Sequence, residues 1–126
     1  MKAFEATVAR PLEDVEADVR AALSEEGFGV LTEIDVAATL ATKLGVERPK
    51  LRILGACNPV LAHRALEVEP SVSLLLPCNV VIEEVPSGTR VAIVDPTELL
   101  DVASLRELAS DAAARLQRVV DRVSAR

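Results

Sequence analysis

A chain of 126 residues, half of them hydrophobic and 27% charged, can bury a core of its own and is far from the composition of a disordered segment. Its net charge of −6 leaves no basic cluster to neutralise phosphates, so no nucleic-acid partner is expected. No stretch approaches the roughly 18 apolar residues of a membrane span, and Met1 to Ala9 lacks the basic start and apolar run of a signal peptide; the expected setting is cytoplasmic, with no membrane partner.

The predicted elements follow in chain order within one domain, residues 1–126. Lys2 to Ala9 alternates, with Phe4, Ala6 and Val8 on one face, and predicts a half-buried strand. Pro11 opens a helix on which Leu12, Val15, Val19, Ala22 and Leu23 recur at helical spacing until Gly27 stops it. Phe28 to Ile34 returns to strand character. Asp35 is the expected N-cap of a short helix, Val36 to Leu44, closed by Gly45 in the left-handed conformation. A third strand covers Lys50 to Ala56. Asn58-Pro59 then reads as N-cap and first residue of a second short helix ending near Val68. The run "SVSLLLP" is too short to assign by periodicity.

Asn79 to Val85 and Thr89 to Val94 are two strands joined by Pro86-Ser87-Gly88. A long helix from about Val102 to Val123 closes the chain, its stripe formed by Leu105, Leu108, Ala109, Ala112, Leu116, Val119, Val120 and Val123. The fold class is therefore α+β: an antiparallel sheet of about five strands with two long helices on one face, in the order β-α-β-β-β-β-α with two short helices inserted. Neither face of the last hairpin is cleanly polar, so its second side should be covered by the short helices, the apolar run or another subunit. A homodimer is the expected assembly.

Candidate chemistry is concentrated in "GACNPVLAHRALEVEPSVSLLLPCNV". Both cysteines, both asparagines and the single histidine of the chain fall there. Cys57 ends the third strand and Cys78 begins the fourth, which places the two strand ends side by side if the strands are antiparallel neighbours. His63 and Glu67 share a face of the intervening helix. Cys57, His63 and Cys78 are thus weak metal candidates, without the short C-x2-C knuckle that marks zinc sites. Cys57 near a helix N-terminus is a candidate reactive thiol, since the helix dipole lowers a thiol pKa. A disulfide is opposed by the compartment. Set against these, buried cysteines and backbone-capping asparagines account for the same residues as architecture. No phosphate loop, nucleophile elbow or dinucleotide fingerprint is present, and no cofactor is implied. Scarce Asn, Gln, Met and Cys beside abundant Glu and Arg resembles thermophile composition, although a GC-rich genome favours the same bias.

The run "LRILGACNPVLAHRALEVEPSVSLLLPCNVVIEEV", with the upstream "GFGVLTEIDVAATLATKLG", resembles the bacterial and archaeal domain of unknown function 302 family. The resemblance rests on "LGACNP", "EP" and "LLPCNV" and covers nearly the whole chain. It implies a small α+β domain of TATA-binding-protein-like architecture, a likeness of fold that carries no DNA-binding function. It also implies motif positions at Cys57, Asn58, Pro59, Glu69, Pro70, Pro77, Cys78 and Asn79; His63 and Glu67 lie outside the motif. The function expected is a small-ligand-binding or protein-interaction module using Cys57, Asn58, Cys78 and Asn79. The alternative is a thiol- or metal-dependent enzyme centred on Cys57 and Cys78.

Overall fold

Helix α1 (Leu12–Glu25) buries the stripe its spacing predicts, Leu12, Val15, Val19, Ala22 and Leu23, and carries Glu13 and Asp14 in its first turn where the helix dipole favours acids. Its partner α5 (Arg106–Ser124) buries Ala109, Ala112, Leu116, Val119, Val120 and Val123. In the computed structural model, which describes every residue from Met1 to Arg126, these two helices pack on each other and on one face of a five-stranded antiparallel sheet. The strands are β1 (Ala3–Val8), β2 (Gly29–Asp35), β3 (Leu51–Cys57), β4 (Cys78–Val85) and β5 (Gly88–Val94), in the spatial order β1-β5-β4-β3-β2.

Register fixes which side chains meet the helices. Val80 pairs with Ile93 and Ile82 with Val91, and all four are fully buried on the helix face. Leu54 and Ala56 of β3 continue that face, which closes into a core of 17 buried residues spanning both helices and all the central strands. Their neighbours Val81, Ala92 and Val94 point the other way and stay half-buried, as alternation requires.

Three shorter helices complete the chain. Helix α2 (Val36–Leu44) begins at Asp35, whose side chain accepts from the Ala38 amide at 2.9 Å, and ends at Gly45 with φ 66°. Its main tertiary contact is β3. Helix α3 (Pro59–Val68) begins at Asn58, as the sequence predicts. The unassigned apolar run forms a 3-10 turn, Pro70–Leu75, folded against α3.

Two expectations are corrected. The last helix does not begin at Val102: Asp95 caps a separate short helix, α4 (Pro96–Leu99), a 3-10 turn follows at Ala103–Leu105, and α5 starts only at Arg106. The break lies at Leu100, whose ψ of 48° leaves the helical region. The second face of the hairpin is not covered by the 70–75 run, which packs on α3 instead. A shallow groove lined by Ala3, Val81, Ala92, Val94 and Leu99 is left there, bordered by Asn79, Glu5 and Arg90. No helix is long and apolar enough to cross a membrane.

Candidate functional site

The β3 and β4 ends do lie side by side, through a detail of β3 that the periodicity of the sequence did not reveal. Gly55 faces Pro77 and Thr32 so closely that a Cβ there would stand 2.8 Å from the proline Cγ and 2.1 Å from the threonine Oγ1. The absence of a side chain thus lets Pro77 lie down on β3 as the chain enters β4. Cys78 then pairs with Ala56, and Cys57 follows one residue later. The two cysteines are diagonal neighbours, both free and both half-buried.

Asn58 is fully committed to backbone work. Its Oδ1 accepts from the Leu61 amide at 3.2 Å, capping α3, and its Nδ2 donates to the Glu26 carbonyl at 3.3 Å. Arg115 donates to the same carbonyl from α5 at 3.1 Å. The Glu26 carboxylate is in turn gripped by Arg118, whose Nε reaches both oxygens at 3.1 Å and whose Nη2 reaches Oε1 at 2.9 Å. One turn, Glu26 and Gly27 with φ 82°, therefore ties the end of α1, the start of α3 and the middle of α5 together.

Around this junction the structure opens an apolar pocket. Its walls are Phe28, Leu61, Ala65, Val72, Leu76 and Leu108, joined by Ala56, Pro96, Leu100 and Ala112, with Cys57, Asn58 and Cys78 at the sheet end. The cavity volume is about 50 Å³, enough for a few water-sized atoms and well below the roughly 300 Å³ of a typical whole-ligand site. The pocket lies where two apolar clusters meet. Phe28 and Ala56 belong to the main core, whereas Ala65, Val72 and Leu105, backed by Leu76, Leu100 and Leu108, form a satellite cluster beneath α3.

The pocket does not assemble the metal set. His63 points to solvent with 75% of its side chain exposed and pairs with Glu67 at 3.0 Å. Leu61 and Ala65 are the buried positions of α3, and a residue two places from each necessarily sits on the far side of the helix. Nowhere are three or more His, Cys, Asp or Glu side chains placed to hold a metal ion together. The expected activation of Cys57 is reversed as well. Burial pushes the Cys57 thiol up, and it pushes Cys78 up too, where a Cys57 thiolate would add repulsion. No histidine stands by to act as base, since His63 faces solvent.

Asn79 parts company with the other three candidates. As the strand neighbour of Cys78 it projects to the opposite face, is exposed, and borders the shallow groove. Cys57, Asn58 and Cys78 are brought together; Asn79 and His63 are not. What sequence reading missed is the apolar wall, above all Phe28, Leu76 and Leu108. Its signal was present in the unassigned "LLLP" run, but a short run gives no period from which to read a facing.

The family model described as "Domain of unknown function DUF302" matches residues 4–123. The chain belongs to the DUF302 family. Its structure is similar to the crystal structure of an uncharacterized conserved DUF302 protein from Bacillus stearothermophilus, with a TM-score of 0.88 and 28% sequence identity, over 97% of this chain and 98% of that one. No curated protein matches. The DUF302 fold is thus an antiparallel five-stranded sheet backed by two long helices, and the pocket lies between that body and the α3 segment.

Proposed function

We propose that this DUF302 chain is a binding module, not a catalyst, and that it takes the apolar end of a small ligand between α3 and the sheet. The observation that carries the reading is the seam between the two hydrophobic clusters: an apolar cavity of about 50 Å³ lined by aliphatic and aromatic carbon and two thiols, with its one amide, Asn58, already satisfied. Such a cavity offers water too few partners and favours an apolar guest. Its size fits one large atom or a terminal methyl-sized group. The segment 58–77 that forms its outer wall joins the sheet only through its two ends and packs mainly on α5 and its own 3-10 turn, so a modest displacement would admit more of a ligand. Thiol chemistry is disfavoured by the same setting, because burial pushes both thiols up from their ordinary value.

The test uses xenon as the probe. Under xenon pressure, methyl NMR signals of Leu61, Ala65, Leu76 and Leu108 should shift with a saturable dependence, and Ala65→Leu should abolish the response by filling the cavity. Shifts spread evenly over surface methyls, or an unchanged response in a folded Ala65→Leu protein, would sink the reading. Native mass spectrometry of gently purified protein gives an independent arm, in which an apolar small molecule should copurify with the wild type and not with the filled variant.

A further inference from the structure

Helix α2 is built with care and buries nothing. Asp35 caps its start, Gly45 closes its end, and its mean hydropathy is high, yet not one of its residues is buried. A helix of nine residues is far too short to persist in water on propensity alone; Val36, Ala37 and Leu40 are half-buried where the helix packs on β3, and Leu44 of the same stripe is left out. Leu44 is 69% exposed, and Leu31, 66% exposed, Ile34 and Val46 are large apolar residues left in solvent on the neighbouring chain. Leu31 and Ile34 stand on β2, the edge strand of the sheet, and Leu44 and Val46 stand at the end of the helix that follows it.

The charges around it say what covers it. Glu33 is occupied by Arg20 at 3.0 Å, and Asp35 is spent on its cap. Only Lys43 and Glu47 remain, exposed, of opposite sign, flanking Leu44 and Val46, and in no ion pair within the chain. A strongly charged partner would find nothing here to pair with. A second copy related by a twofold axis would let Lys43 of each chain meet Glu47 of the other around a shared apolar centre, two opposite charges that leave the patch itself without net charge. Edge-to-edge strand pairing is not the mode, because β2 carries an irregularity between Val30 and Thr32 that blunts the edge.

We infer that the α2 surface is the twofold interface of a DUF302 homodimer, with α2 packed on α2 and reciprocal Lys43–Glu47 pairs at the rim. This goes beyond the pocket reading and stands independently of it. Sedimentation equilibrium at micromolar concentration should give twice the 13.4 kDa of the chain. Leu44→Lys, which suits the dipole at a helix end and so preserves α2, should weaken the dimer at least tenfold with unchanged circular dichroism. Lys43→Glu should weaken it too, and adding Glu47→Lys should restore it. Three results would overturn the inference: wild-type protein at the chain mass throughout, no rescue by the charge swap, or a dimer that survives Leu44→Lys but is lost in Leu74→Asp on the α3 side.

Discussion

The layer of α1 and α5 on the sheet and the smaller assembly of α3 with its 3-10 turn use the same kinds of residue to different ends. The first is closed: Val15, Val19, Leu23, Leu116, Val119 and Val123 have no exposed surface at all. The second buries only Leu61, Ala65 and Val72, with Leu105 packed against it, and keeps a cavity between itself and the first. Packing density is where stability comes from, whereas a gap that its walls have not closed is where a guest can enter. The fold concentrates rigidity in one layer and leaves the other free to yield.

The most severe test of this contrast compares leucines at equal burial. Leu116→Ala, in the closed layer, should cost about 3–5 kcal/mol, because a surrounding core made of two helices and a sheet cannot collapse onto the void. Leu105→Ala, in the satellite cluster, should cost about 2 kcal/mol, since the neighbouring turn can move inward. Urea denaturation monitored by circular dichroism measures both. Equal losses would mean that the satellite is as tightly locked as the main core, and the contrast would fail.

The junction between the two regions comes next in size. Asn58→Ala removes the α3 cap and leaves the Glu26 carbonyl with Arg115 alone, for an expected loss of about 1–2 kcal/mol. Asn58→Asp separates the two roles, keeping the oxygen that caps the helix and removing the amide that holds α1. If the aspartate variant is as stable as the wild type, the bond to Glu26 carries nothing and Asn58 is a helix cap only.

These regions were not equally legible in the sequence. The closed layer was, because Leu12, Val15, Val19, Ala22 and Leu23 repeat at 3.6 residues and Val80, Ile82, Val91 and Ile93 at two, and each period names a face. The caps at Asp35, Asn58 and Gly45 were legible for a similar reason, since side-chain chemistry there acts within four residues. The site was legible only in part. Cys78 and Asn79 stand together in the sequence and on opposite faces in the fold, and His63 was grouped by proximity although two places along a helix turn a side chain outward. The pocket wall draws on Phe28, Leu76 and Leu108, three residues with no local relation. Only the approach of Pro77 to Gly55 and the packing of α3 on α5 bring them together, and both are tertiary facts.

The smallest expected effect concerns the thiols, and its sign follows from burial. A cysteine free in solution titrates near pH 8.5, and in the folded chain both Cys57 and Cys78 are held above the ordinary value by desolvation. The folded state therefore keeps its thiol protons at a pH where the unfolded chain has begun to lose them. Their contribution to stability is complete below the unfolded value and is lost as pH rises through the folded one. Stability should thus decline once pH rises past about 8.5, and Cys57→Ala with Cys78→Ala should flatten that decline. Alkylation by iodoacetamide at neutral pH should likewise be slower in the folded protein than in urea, with Cys57 reacting ahead of the more deeply set Cys78. If the two folded-state thiols alkylate at neutral pH as fast as a free cysteine, they are exposed thiolates, the pocket is open to water at its sheet end, and the division into a closed layer and a dry, yielding one no longer holds.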